Sequence, residues 1–468
     1  MEAETRWDLR LAPRTVEAVR ESQGWSWLKK PEPFVARWVT IRPMSATAKR
    51  LTAIMVLLLA ALMVAFLAAR GLGFQVGIWP LASATPQVAT FSPEPSGEPT
   101  PSQDPLAIFA AIEVDVRSLR GLPAPQIGPP QILTRAELAD ALEEIFDRDF
   151  PPEERDAENA TLRALGLLTA RQDIAELTQR LYADQVLGYY DFDDPRMVLV
   201  TDAGLTAAAR ITYAHEYTHA LQDAAFDTAA AHDQLNGEDD AEMARVALEE
   251  GDASTAMVLW AIGHLTADEL LDIQQTPIPD TSGIPAWMVR QLEFPYVAGA
   301  EFVGQLYASG GWDAVNAAYA DPPSSTEQVL HPDAYIDGEE PIAVESPDVL
   351  ATLGAGWSIA RETTLGEAMI EIWLEGIGLS PADAELASEG WGGDRVVVAT
   401  GPDGALALAL RITWDAPIEA AEFADAYAEA QGTLPLRTEL RLVGDRETIV
   451  MQASSVEALT ALQAALGG

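Results

Sequence analysis

Hydrophobic and polar positions along the chain follow two periods. Ile108, Ile112, Val116 and Leu119 recur at three- and four-residue steps, which predicts an amphipathic helix over 108–119. Thr134 and Glu137 form a capping box that opens a helix to about Phe146, and Pro151-Pro152 break it. Two further amphipathic helices are expected near 153–167 and 171–183. The period then shortens. Val186–Tyr190 and Met197–Thr201 are β-rich runs across the segment DFDDP, the pattern of a hairpin. Asp191, Asp193 and Asp194 in that turn offer oxygens to Ca²⁺, but Asp is a turn residue and no full ligand loop is visible. Long helices are expected at 203–224 and 239–262. Towards the C-terminus come strands Arg395–Thr400 and Ala405–Thr413, a helix Pro417–Gln431, strands Leu436–Leu442 and Thr448–Ala453, and a helix Ser455–Leu466. The expected fold class is α+β: a mainly helical domain with a small hairpin, then a ββαββα module.

A different pattern precedes these elements. Leu51–Ala69 is nineteen residues without charge, Pro or Gly. As a helix it would cross the hydrocarbon core of a bilayer, so one N-terminal transmembrane helix is expected. Arg37, Arg42, Lys49 and Arg50 precede it, which places the N-terminus in the cytoplasm and the rest outside. Ala82-Ser83-Ala84 resembles a signal cleavage site, but fifty residues before the apolar run argue for an uncleaved anchor. In residues 1–50, Trp25, Trp27 and Trp38 interleave with Lys29, Lys30 and Arg37, which suits a segment lying against an anionic membrane face. Residues 70–106 are rich in Pro, Ser and Thr and read as an extended spacer. The expected organisation is a tail 1–50, a span 51–69, a linker 70–106, a domain 107–380 and a module 381–468.

Charge sharpens this division. The 468 residues carry 29 Lys+Arg and 72 Asp+Glu, a formal net charge of −43. Residues 1–50 are net +4, whereas the chain from residue 71 is net −48, and all three lysines precede the apolar run. Such an exterior repels phosphates, so nucleic acid is not an expected partner. With 48% hydrophobic residues the chain has material for a sizeable core. It has no Cys, which excludes disulfides, thiolate–zinc sites and a Cys nucleophile.

The chemistry concentrates in AHEYTHALQD, 214–223. His215, Glu216 and His219 form H-E-x-x-H. Residues i and i+4 share a helix face, so both imidazoles can reach one Zn²⁺, and Glu216 beside them can take a proton from a polarised water. Catalytic zinc takes a third protein ligand. No third His follows at short spacing, which leaves Glu249 and Glu250 in LEEGDA, 248–253, both open on spacing alone. Asp223 is a candidate to orient a ligand imidazole, and His232 and His264 read as structural or surface groups.

These motifs resemble the gluzincin metallopeptidases. The resemblance implies a third zinc ligand on the helix after H-E-x-x-H, and Glu249-Glu250-Gly251-Asp252-Ala253 places it at Glu250. Over about 107–460 the chain is similar to prokaryotic surface-anchored, zincin-like proteins. GYYD at 188–191, AHEYTHALQD, LEEGDA, SSTEQVLHPDAY at 324–335 and GWGGDR at 390–395 carry that likeness. It implies a zincin-like fold and an edge strand, from the hairpin, that pairs with an extended peptide or protein substrate. It also implies zinc-dependent peptide hydrolysis with Glu216 as general base. Gluzincins often use His or Tyr to stabilise the oxyanion, and His331, Tyr335, Tyr296 and Tyr217 are the candidates. The alternatives are a catalytically silent or latent zincin-fold protein that binds or scaffolds at the cell envelope, and a sensor signalling through residues 1–50.

Overall fold

The fold is taken from a computed structural model, which describes residues 104–182, 188–192, 194–200, 205–235, 237–274 and 281–467. The tail, the apolar run 51–69 and most of the linker lie outside the described residues, as do Val186, Leu187, Asp193 and Thr201. Among the described residues no helix is long and apolar enough to cross a membrane. The class is mixed α+β, mainly helical. The described chain forms two compact units, one of 104–155 and 172–339, the other of 156–171 and 340–467.

The first unit opens with α1 (Pro105–Arg120). The Asp104 carboxylate caps it by accepting the Leu106 N–H, and Gly121 at φ 72° ends it. β1 (Gln131–Leu133) precedes α2 (Arg135–Asp149), whose Thr134–Glu137 capping box forms as expected. The chain leaves this unit through α3 (Pro152–Ala164) and returns at α4 (Ile174–Tyr182). β2 (Gly188–Asp191) and β3 (Arg196–Val200) pair antiparallel, with Tyr190 opposite Met197. β1 adds in parallel on the other side of β3, so the order is β1-β3-β2 and β2 is an edge strand among the described residues. β1 has three largely exposed residues, too few to show an alternation in sequence. In the turn, Asp191 accepts the Asp194 N–H at 3.3 Å and pairs with Arg196 at 3.1 Å, the work of a turn residue.

α5 (Ala207–Phe226) starts at Thr206, whose hydroxyl accepts the Ala209 N–H. Every residue from Ile211 to Gln222 is buried, so α5 is wrapped on all sides and shows no polar face. After α6 (Thr228–Asp233) comes α7 (Asp239–His264), then α8 (Ala267–Gln274) and α9 (Ala286–Ala320). Gly310 and Gly311 leave helical geometry, Gly311 at φ 65°, and divide α9 into two runs. α7 and α9 touch backbone to backbone. A Cβ on Gly251 would lie 2.1 Å from the Gly299 carbonyl oxygen, and one on Gly299 would lie 2.1 Å from that of Ala247. The short helices α10 (Thr326–Leu330) and α11 (Pro332–Asp337) follow, and the Asp240 carboxylate pins α10 by accepting the Thr326 N–H and hydroxyl at 3.0 and 2.6 Å. Phe109, Ile112 and Val116 of α1 pack with Tyr213, Tyr217 and Leu221 of α5 and Trp260 of α7 in the core.

The second unit is a five-stranded antiparallel sheet between helices. The expected strands appear as β5 (Trp391–Thr400), β6 (Leu406–Trp414), β7 (Arg437–Val443) and β8 (Glu447–Ala453). A further strand, β4 (Ser358–Thr363), completes the order β4-β5-β6-β8-β7. β5 begins at Trp391, ahead of the start read from sequence, because Gly392 and Gly393 are strand residues at a bulge. A Cβ on Gly393 would lie 2.1 Å from the Ile342 carbonyl oxygen, so this glycine admits a neighbouring backbone. α12 (Leu350–Leu353), α13 (Gly366–Gly376), α14 (Pro381–Ser388), α15 (Pro417–Ala430) and α16 (Val456–Ala465) complete the unit. Val397, Ala409 and Met451 pack with Ala458 and Leu462 of α16, while Trp373, Trp414, Phe423 and Tyr427 form an aromatic cluster.

Candidate metal centre

Three ligand-type side chains converge between α5 and α7. His215 and His219 lie one helical turn apart, and their Nε2 atoms approach to 2.9 Å. Glu250 Oε2 lies 3.0 Å from His215 Nε2 and 3.4 Å from His219 Nε2. Ligand atoms around a tetrahedral ion at roughly 2.0–2.1 Å sit about 3.3 Å apart, so this set has nearly the spacing that zinc requires. His215 is 0%, His219 2% and Glu250 3% exposed, so the donors are shielded from bulk water. Register decides between the two neighbouring carboxylates. Glu249 turns away to His232 at 2.8 Å and Arg245 at 2.7 Å, and only Glu250 faces the imidazoles. Gly251 permits this by letting α7 lie against α9 with no side chain between them.

Glu216 lies next to these three side chains, fully buried. Its Oε2 accepts the Tyr190 N–H of edge strand β2 at 3.0 Å, and its Oε1 has no partner among the described residues. Burial lifts its carboxyl well above the usual range; Glu250 adds to the rise, while His219 and the Tyr190 N–H oppose it. The three ligand-type groups are displaced in opposite directions. Burial drives His215 down to about 4. At His219 burial is outweighed by Glu250, Glu216 and Gln222, and the value rises to about 9. At Glu250 burial is outweighed by the two imidazoles, and the carboxyl falls to about 2. Two imidazoles and a carboxylate are donors of the type that zinc accepts.

A second layer holds these groups. The Tyr296 hydroxyl donates to Glu250 Oε1 at 3.0 Å. Gln222 Oε1 meets His219 Nδ1 at 2.8 Å, and Gln222 Nε2 donates to the Glu249 carbonyl at 2.9 Å and Asp252 Oδ2 at 3.1 Å. Asp252 receives Arg120 in a two-pronged ion pair at 2.6 and 2.9 Å and the Tyr319 hydroxyl at 2.8 Å. Sequence reasoning missed Gln222, Asp252, Arg120 and Tyr319. Gln222, three residues beyond His219 on the same helix face, was the readable signal.

Asp223 accepts from the Tyr190 and Thr228 hydroxyls, at 3.0 and 3.1 Å, and the imidazole is oriented by Gln222 instead. Tyr296 supports the Glu250 carboxylate, and Tyr217 stacks on Tyr213 in the core. Tyr335 donates its hydroxyl to the Asp321 carbonyl at 2.8 Å and sets its ring on Phe302. His331 is exposed at the junction of α10 and α11. His264 is half-exposed, stacked on Trp260 and paired with Asp115.

No curated protein and no solved structure matches the chain. The stretch 356–463, which runs from just ahead of β4 into α16 and excludes the metal-type cluster, is similar to a domain of unknown function, DUF8575, whose family model matches those residues.

Proposed function

We propose that the protein is a zinc-dependent metallopeptidase of gluzincin type, with a zincin-like domain held outside the cell membrane by one span through residues 51–69. The observation that carries the reading is the convergence of His215, His219 and Glu250 beside a carboxylate, Glu216, whose direction is set by an edge strand. His215, His219 and Glu250 would hold the ion. Zinc bound there would supply Lewis-acid chemistry, lowering the pKa of a water towards about 7 and polarising a carbonyl. Glu216 handles the proton. With Oε2 held by the Tyr190 N–H, the unpartnered Oε1 is left to accept a proton from the attacking water. It then delivers that proton to the nitrogen of the breaking C–N bond, releasing an amine and a carboxylate. β2 is the strand along which an extended peptide would pair.

The test is incubation of the zinc-loaded protein with a diverse peptide mixture, with products read by mass spectrometry beside Glu216→Gln. Cleavage that disappears in the variant while zinc stays bound supports the reading. A second reading, a silent or latent centre with a binding role at the envelope, is favoured by the near-complete burial of the cluster. It predicts bound zinc and no cleavage by either protein.

A further inference from the structure

Gln222 joins two features that are far apart in sequence: an ion pair between α1 and α7, and a ligand imidazole on α5. Its amide has one donating and one accepting end, and its surroundings leave no choice between them. Nε2 faces the Glu249 carbonyl and Asp252 Oδ2, and both accept only. Oε1 therefore faces His219 Nδ1, which must carry a hydrogen to complete the 2.8 Å contact. A neutral imidazole protonated at Nδ1 has its lone pair on Nε2, the atom that faces His215 and Glu250. Asp252 keeps its accepting role because the Arg120 guanidinium clamps both its oxygens, and both side chains are wholly buried. The other imidazole shows no such arrangement: His215 Nδ1 has no partner among the described residues.

We propose that the Arg120–Asp252 ion pair is a positioning device for the metal centre, acting through Gln222 to commit His219 to the tautomer whose Nε2 is free to bind a cation. Gln222, Asp252 and Arg120 are positioning residues, and the inference rests on the reading of His215, His219 and Glu250 as zinc ligands. It makes the end of α1, 99 residues before His219 in sequence, part of the apparatus that holds zinc. It also separates the two histidines: His219 is the pre-set ligand, and His215 adapts to it.

The experiment uses the full-length chain in detergent, labelled with ¹⁵N-histidine. Zinc affinity is measured by competition with a chelator, and the melting temperature of the metal-free protein is recorded alongside. In the zinc-loaded wild type, His219 is expected to show a slowly exchanging, downfield Nδ1–H resonance. Gln222→Leu should lose that resonance and bind zinc about 10–100-fold more weakly, a larger loss than the fall in metal-free stability from the hydrogen bonds it removes. Asp252→Asn, which removes the charge but keeps the shape, should weaken zinc in the same direction. Affinity within twofold of wild type in Gln222→Leu would overturn the proposal. So would a loss of affinity matched by an equal loss of metal-free stability. The wild-type spectrum needs no variant to fold: an Nε2–H tautomer at His219 refutes the inference while leaving zinc binding intact. Failure of the wild type to take up zinc refutes the metal-centre reading itself, and the proposal with it.

Discussion

The contact between α7 and α9 gives a sharp test of how Glu250 is placed. Replacing Gly299 by Ala adds a Cβ that would sit 2.1 Å from the Ala247 carbonyl oxygen and 3.1 Å from its Cα. All the atoms it meets are backbone, so no side chain can rotate away, and the two helices must part by about 1 Å to restore ordinary contact. Overpacking of this kind costs about 1–3 kcal/mol, and removing a helical glycine returns roughly 0.5–1 kcal/mol. The net effect is about 1–2 kcal/mol of destabilisation, or a melting temperature lower by about 3–8 °C for a unit of this size. Gly304 on the same helix is the internal control, because nothing lies within 4 Å of its added Cβ. Gly304→Ala should therefore gain about 0.5–1 kcal/mol. Because Ala247 and Gly251 lie in the same stretch of α7 as Glu250, Gly299→Ala should also loosen zinc about tenfold. Calorimetry with and without zinc measures both effects. A Gly299→Ala protein that melts at or above wild type, or no lower than Gly304→Ala, would refute the argument.

Three further outcomes follow from the same geometry. Chelation should lower the melting temperature of the zinc-loaded protein: zinc at a hundred times its Kd contributes about 2.7 kcal/mol, about 5–10 °C here, and an unchanged melt would remove zinc from the account. Tyr296→Phe, which deletes the hydroxyl donating to Glu250 Oε1, should weaken zinc about tenfold with little change in metal-free melting, and equal affinities would show the contact to be idle. Glu249 is held at about 2, where burial is outweighed by His232 and Arg245. Its folded value lies below its unfolded one, so its contribution is complete above about pH 4.5 and is lost as pH falls towards 2. Glu249→Gln should thus lose stability near neutral pH and show a flatter acid limb by about 2–3 kcal/mol, checked by melts from pH 2 to 7.

The helix carrying H-E-x-x-H, the hairpin before it and the strands of the C-terminal module were legible because each has a period or a cap of its own. Thr134–Glu137 is the clearest case, since both halves of the capping box lie within four residues. What escaped depends on neighbours. Glu249 and Glu250 are equivalent on spacing alone, and only the gluzincin resemblance pointed to Glu250; in the structure the rotation of α7 turns Glu250 to the histidines and Glu249 to Arg245. Gln222 and Asp223 pose the same problem on α5, where one step of rotation separates an imidazole partner from a partner of Tyr190. β1 is too short for a pattern, and Gly392-Gly393 reads as loop until Ile342 is seen lying against it. The break in α9 is written in Gly310-Gly311, but only the φ of 65° at Gly311 distinguishes it from two tolerated helical glycines.

The hydrogen bond from Tyr190 to Glu216 bears on how the chain can change over time. Its donor is a main-chain N–H, so nineteen of the twenty amino acids at position 190 supply it. Substitution in β2 can therefore reshape the surroundings of the carboxylate while its aim persists. Proline is the exception, because it alone has no N–H to give.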